Sequence, residues 1–253
     1  MHALRNSALI VSFVTALSGH ALASDDAPVS SETVAVVAAP AADGGVAGMI
    51  KLKGDAPAPE KVDISSDPVC EGLHPDGFKP STVRGSGGGL ADVFVQLTDG
   101  VPDERRKAPK EPVVLDQVGC TYIPHVFGMM KKQDLKILNS DDTLHNIHPS
   151  PKVNREFNVG MPNKGMEITQ TFKKAEDAVK IKCDVHPWMT AYAFVLEHPY
   201  YAVTDEKGKF RIDTTDLEDG EYGVKLWHET LGTKEGKLTL ADGKASYEFT
   251  FEL

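Results

Sequence analysis

AVKIKCDVHPWMTAYAFVLEH, residues 178–198, sets the terms for the rest of the chain. Both ends of the stretch are rich in β-branched and aromatic residues with polar or small ones between them, which is how strands read. Between the ends, CDVHPWM (183–189) puts a thiol, an imidazole and a thioether at intervals of three residues, with Pro187 and Trp188 in the last gap. If Cys183 closes one strand and a tight turn follows, His186 and Met189 fold back over one point in space. Seven residues then supply three metal ligands, and a fourth has to come from elsewhere. LHNIH (144–148), expected as a turn after the strand DLKILNSDD (134–142), offers two imidazoles, His145 and His148.

One thiolate, two imidazoles and a weak axial thioether are the ligand set of a mononuclear blue (type 1) copper site, whose chemistry is one-electron transfer. Zinc would draw on more thiolates or histidines and no methionine, and a dinuclear copper site would need a second nearby cysteine. Taken singly, Cys183 reads as a small buried hydrophobe, His186 as a surface histidine before a turn proline, and Met189 as core filler. Their joint occurrence with LHN carries the copper reading. Four protein ligands leave no open position for a substrate, so an enzyme is not expected.

These motifs resemble the cupredoxins. C-x-x-H-x-x-M with Pro after the histidine is similar to the ligand loop of amicyanin-like domains, and NSDDTLHN (139–146) resembles the stretch leading to the first copper histidine of plastocyanin-like ones. The resemblance spans roughly residues 110–198. It implies His145, Cys183, His186 and Met189 as the copper ligands, with His148 as the alternative to His145. It also implies that Asn146 ties the two ligand loops together by hydrogen bonding. Trp188 is expected to pack on the ligand loop beside an exposed edge of His186.

Cys70, in DPVCEGLHP, and Cys120, in QVGCTYIPH, are the two remaining cysteines. Their pairing in a disulfide leaves Cys183 reduced for metal and adds about 3 to 4 kcal/mol through loop-closure entropy. The rival is a second metal site of Cys70, His74, Cys120 and His125, since each cysteine has a histidine four or five residues downstream. The pair Met129-Met130 reads as packing and turn.

Away from these motifs the chain still reads as strands. VAGMIKLKG (46–54), LADVFVQLTDG (90–100), MEITQTFK (166–173), GKFRIDTT (208–215), GEYGVKLWHE (220–229) and KASYEFTFEL (244–253) are punctuated by Gly, Pro, Asp and Asn. No stretch has the period of an amphipathic helix, so the fold class is all-β: a cupredoxin-like Greek-key sandwich or barrel with a second small β-sandwich. The segments 45–100 and 199–253 resemble carboxypeptidase-regulatory-like modules, which makes 101–198 a cupredoxin insertion within such a module, a tandem arrangement being the alternative. In TDEKGKF, Lys207-Gly208 is expected to close a hairpin. GSGGGL (85–90) lacks the lysine and following helix that would hold phosphates.

The N-terminus has a short basic start, an apolar run too short to span a bilayer as an anchor, and the small residues of a cleavage site. A signal peptide over 1–23, cut after Ala23, and a flexible linker over 24–44 are expected. The protein is then periplasmic or secreted, without a membrane span in the mature chain. Removing residues 1–23, with one Arg and no acid, takes the net charge from −10 to −11. Such an excess disfavours nucleic acid and suits a basic redox partner such as a c-type cytochrome. The alternatives to an electron carrier are a copper storage or delivery protein and a structural or interaction module with a cupredoxin fold.

Overall fold

The computed structural model describes residues 44–102 and 106–253. The expected signal peptide, and the expected linker apart from Gly44, lie outside the described residues. The chain enters through β1 (Gly45–Lys53), a short helix α1 (Pro68–Leu73) and β2 (Phe94–Leu97). Nine strands follow: β3 (Val113–Val118), β4 (Thr121–Ile123), β5 (Val126–Met130), β6 (Asp134–Asn139), β7 (His145–Ser150), β8 (Val159–Met161), β9 (Glu167–Thr171), β10 (Glu176–Lys182) and β11 (Thr190–Leu196). The last five are β12 (Tyr201–Val203), β13 (Lys209–Ile212), β14 (Gly220–His228), β15 (Gly232–Leu240) and β16 (Lys244–Glu252).

The fold is all-β, four sheets forming two sandwiches. Strands before β3 and after β11 build the first pair of sheets, β13-β1-β16 and β12-β2-β14-β15. β16 shows why: Ala245, Tyr247, Phe249 and Phe251 are buried while Lys244, Ser246, Glu248, Thr250 and Glu252 point outward, the period-2 pattern of a half-buried strand. It runs parallel to β1, from Gly45↔Lys244 to Lys53↔Glu252, and packs its apolar face with Ile50, Leu90, Val95, Tyr222 and Leu226. β3 to β11 build the other pair, β5-β11-β10-β7-β8 and β4-β3-β6-β9, around Leu115, Phe127, Met129, Ile137, Ile147 and Ile181. Met129 and Met130 are buried core residues of β5, and Met130 opens the turn that follows, its carbonyl accepting the Gln133 N–H at 3.0 Å.

Aromatic rings join the sandwiches. Phe94 of β2 stacks on Phe194 of β11, with ring centroids 3.8 Å apart and planes 6° from parallel. Tyr201 lies against β5 at Gly128, where a Cβ would come within 2.1 Å of the ring; only glycine leaves it room. The Lys207-Gly208 turn does not close a hairpin. It carries the chain from β12, which pairs with β2, to β13, which pairs with β1.

α1 is the one helix among the described residues, and the helical period misses it because six residues are too few to show one. Its local signal is capping: Asp67 accepts from the Val69 and Cys70 N–H groups, and Pro68 takes the first position. Cys70 is bonded to Cys120, which lies between β3 and β4. The bridge fastens the long β1–β2 connection over the second sandwich, where Ile64, Cys70, Phe78 and Cys120 form a small cluster against Trp188. Among the described residues no helix is long and apolar enough to cross a membrane.

Candidate metal centre

β10 and β11 form an antiparallel pair ending at Lys182↔Thr190, so residues 183–189 are the loop that joins them. The loop closes on itself: the Cys183 N–H donates to the Met189 carbonyl (3.3 Å) and the Met189 N–H to the His186 carbonyl (2.9 Å). β7 lies on the other side of β10, with His148 opposite Lys182. The segment around His145 is therefore strand rather than the expected turn, and its antiparallel course sets His145 beside the loop. Side chains of a strand alternate between faces. His145 accordingly turns inward and is fully buried, while His148, three residues on, turns to the surface. There His148 meets Asp184 and Glu156, each at 2.6 Å, so it does not join the cluster as an alternative to His145.

Ligand atoms of His145, Cys183 and His186 lie within 4.8 Å of one another. The two imidazoles face each other through Nδ1 at 2.9 Å, and the Cys183 sulfur is 4.0 Å from His186 Nδ1. All three side chains are buried, as is Met189, which packs in the same apolar cluster as Cys183. Asn146 Oδ1 accepts the Asp184 N–H at 2.6 Å, which links the β7 segment to the ligand loop. Tyr122 adds a link: its hydroxyl lies 2.5 Å from the Asn146 carbonyl and 3.0 Å from that of Lys182.

Two carboxylates stand behind the imidazoles, and sequence spacing singled out neither. Asp141 Oδ2 is 2.9 Å from His145 Nε2 and also accepts the Cys120 N–H, while its Oδ1 accepts the Gly119 N–H. Asp67 Oδ2 is 3.1 Å from His186 Nε2 and accepts the Thr143 hydroxyl at 2.6 Å. Burial works against both carboxylates, but their hydrogen bonds, led by His145 for Asp141 and by Thr143 for Asp67, hold both below the usual carboxylate range. An ionised carboxylate only accepts, so both Nε2 atoms carry protons. A 2.9 Å contact between two Nδ1 atoms then needs a proton of its own. Burial disfavours a charged His145, yet hydrogen bonds to Asp141 and Cys183 outweigh it and raise its pKa to about 9. Burial likewise favours the Cys183 thiol, but bonds from His145, His186 and the Asn146 and His186 N–H groups pull its pKa down to about 6. Both shifts favour an imidazolium at His145 beside a thiolate at Cys183 in the metal-free site.

These residues fit a thiophilic metal ion: a thiolate and two inward-facing Nδ1 atoms converge inside an apolar cluster. The rival cluster of Cys70, His74, Cys120 and His125 does not form. Both cysteines are consumed by their disulfide, His74 bonds the Gly119 carbonyl at 2.8 Å, and His125 lies between the Thr190 carbonyl and Glu229. The expected exposed edge of His186 is likewise absent. Asp67 covers it, Cys70 Sγ sits 3.9 Å from Nε2, and the residue is 2% exposed. Trp188 packs against it, ring centroids 4.9 Å apart and planes tilted by 31°, with its indole N–H donating to the Cys120 carbonyl. Trp188 also helps line a cleft of about 1060 Å³ with Phe78, Ile123, Pro187 and Tyr192.

The chain matches no protein family and no curated protein. Among solved structures it is similar to the Cu-containing nitrite reductase of Thermus scotoductus SA-01, at 20% identity over 40% of this chain and 26% of that one, with a TM-score of 0.31. The chain thus spans about a quarter of that enzyme's length. It is also similar to the purple cupredoxin of Nitrosopumilus maritimus, at 19% identity over 33% of this chain and 99% of that one, TM-score 0.29. A third likeness is to a single-residue variant of amicyanin in its Cu(I) form, at 18% identity over 40% of this chain and 98% of that one, TM-score 0.31. At such values the function has to be read from the chain's own residues.

Proposed function

We propose that this chain is a periplasmic or secreted type 1 copper protein that carries single electrons, with His145, Cys183, His186 and Met189 as ligands. The observation that carries the reading is the convergence of one thiolate and two Nδ1 atoms within 4.8 Å in a buried apolar cluster. When bound, copper supplies a reversible one-electron couple, which soft sulfur suits in the cuprous state and imidazole tolerates in both states. The chain's part is to hold that geometry: Asn146 and Tyr122 tie the β7 segment to the β10 end, and the surrounding core keeps water out. The disulfide suits an oxidising compartment. Burial of every ligand favours a resident ion over one handed on by a storage or delivery protein. We read the flanking sandwich as the scaffold, a carboxypeptidase-regulatory-like module into which the copper unit is inserted.

The proposed partner is a basic redox protein such as a c-type cytochrome, drawn by the acidic surface. Because His186 is covered, the electron's way out runs through Trp188 into the cleft. Visible absorption and paramagnetic resonance of the copper-loaded protein test the centre. An intense sulfur-to-copper band that disappears in Cys183→Ser is expected; a colourless cupric protein, or one that takes up no copper, overturns the reading.

A further inference from the structure

We infer that Asp67 and Asp141 are a matched pair of positioning residues that fix both imidazoles and tune the redox couple, and that the Cys70–Cys120 disulfide is the clamp that keeps the pair in place. This rests on the copper reading above and deepens it. Each carboxylate takes the Nε2–H of one histidine, His145 at 2.9 Å and His186 at 3.1 Å, which leaves both Nδ1 atoms to face Cys183. A hydrogen bond from a ligand's outer nitrogen to a carboxylate sets the tautomer and ring direction and makes the imidazole a stronger donor. Two such bonds bring two negative charges behind one metal position, inside a cluster where screening is weak. They favour the cupric over the cuprous state.

The two carboxylates come from segments far apart in sequence, and the disulfide unites them. Asp67 caps α1 through its Oδ1; α1 carries Cys70; Cys70 is bonded to Cys120; and the Cys120 N–H donates to Asp141 Oδ2 at 2.7 Å. Thr143, two residues before His145, holds the second oxygen of Asp67. The acidic partners and their sulfur bridge thus form a continuous wall on the side of the imidazoles away from Cys183.

Asp67→Asn is the discriminating variant, because asparagine caps a helix as well as aspartate does but turns an amide donor or a weaker carbonyl acceptor toward His186. Its expected outcome is an upward shift in reduction potential and a roughly 10- to 100-fold loss of Cu(II) affinity, larger than the loss for Cu(I), with the visible band retained. An unchanged potential in a folded, copper-loaded Asp67→Asn protein overturns the inference. Nitrogen-15 NMR of the imidazoles in the metal-free, unsubstituted chain gives a readout that needs neither copper nor a variant. Nε2–H on His186 is expected, and Nε2 without a proton overturns the inference even if copper binds. Failure of the unsubstituted chain to bind copper, with Nε2–H observed, would instead defeat the copper reading and leave the positioning of the imidazoles standing.

Discussion

His145 and His228 are both fully buried, one at the candidate metal centre and one in the flanking sandwich, and their surroundings treat them in opposite ways. His228 sits at the end of β14, where its Nδ1 accepts the Thr230 and Leu231 N–H groups and its Nε2 meets no hydrogen-bond partner among the described residues. Burial pushes its pKa down, and the nearby carboxylates of Glu229 and Asp92 do not reverse this. It is a neutral ring that helps fill a core. His145 meets the same burial but has Asp141 on one nitrogen and the His186–Cys183 cluster on the other, and its pKa rises. Depth alone therefore says nothing about chemistry. A buried polar group becomes part of a site when its neighbours are charged and aimed at it.

Substitution separates the two cases most strongly. His145→Ala in the metal-free protein leaves a buried Asp141 carboxylate and a Cys183 thiolate without their cation, a loss of about 3 to 5 kcal/mol for a broken buried pair. His228→Ala removes a neutral ring and the acceptor of two N–H groups, a cost of about 1 to 3 kcal/mol. Urea denaturation of both variants at neutral pH reads the difference. Equal losses would mean that the charge pair at the centre adds nothing to the fold and that His145 is core filler like His228.

The residues most readily read from sequence were those whose partners lie nearby. The spacing within CDVHPWM and the alternation of β16 depend on neighbours along the chain, and the loop and the strand are there; the Cys70–Cys120 bridge spans 50 residues and was legible from the cysteine count, not from local spacing. β15, GTKEGKLTL, was not expected because its exposed positions are glycine, threonine, glutamate and lysine and only Leu238 and Leu240 are buried. β7 carries Pro149 and two histidines, residues that read as a turn, yet it pairs with β10, with His148 opposite Lys182 and Ser150 opposite Lys180. Asp67 and Asp141 could not be found at all by spacing. Asp67 lies 119 residues from His186, and its only local signature is the helix cap. His145 and His148 were separable in principle, since an odd interval on a strand puts two side chains on opposite faces; reading LHNIH as a turn hid that.

A second effect, smaller than loss of a ligand, follows from the charge state of the metal-free centre. With the His145 pKa raised to about 9 and the Cys183 pKa lowered to about 6, His145 is expected to hold its proton and Cys183 to have lost its own between those values. Metal must displace the His145 proton throughout that window, so one proton is released per ion and the apparent affinity rises about tenfold for each pH unit. Above the His145 pKa the affinity levels off; below the Cys183 pKa a second proton competes and the dependence steepens. Competition titrations of Cu(I) against a chelator of known affinity, at pH values across this range, measure the slope. A slope near zero between the two values would show that the inward nitrogens carry no proton, as at His228.

The smallest expected effect concerns the partner and sets the acidic surface against the aromatic exit. With a net charge of −10 for the full chain, encounter with the proposed basic partner should be steered by long-range attraction, which salt screens over about 8 Å at physiological ionic strength. Raising the salt concentration should slow the bimolecular electron-transfer rate and leave the visible spectrum unchanged. Trp188→Ala should slow it as well, through loss of the ring packed against His186, but keep most of the salt slope, because Trp188 carries no charge. The indole also anchors to the Cys120 carbonyl, so an unchanged spectrum and reduction potential are needed to separate a lost route from a disturbed centre. A rate insensitive to Trp188→Ala at unchanged potential would move the exit away from the cleft. Insensitivity to salt would remove the acidic surface from partner choice and leave it the role of keeping the chain in solution.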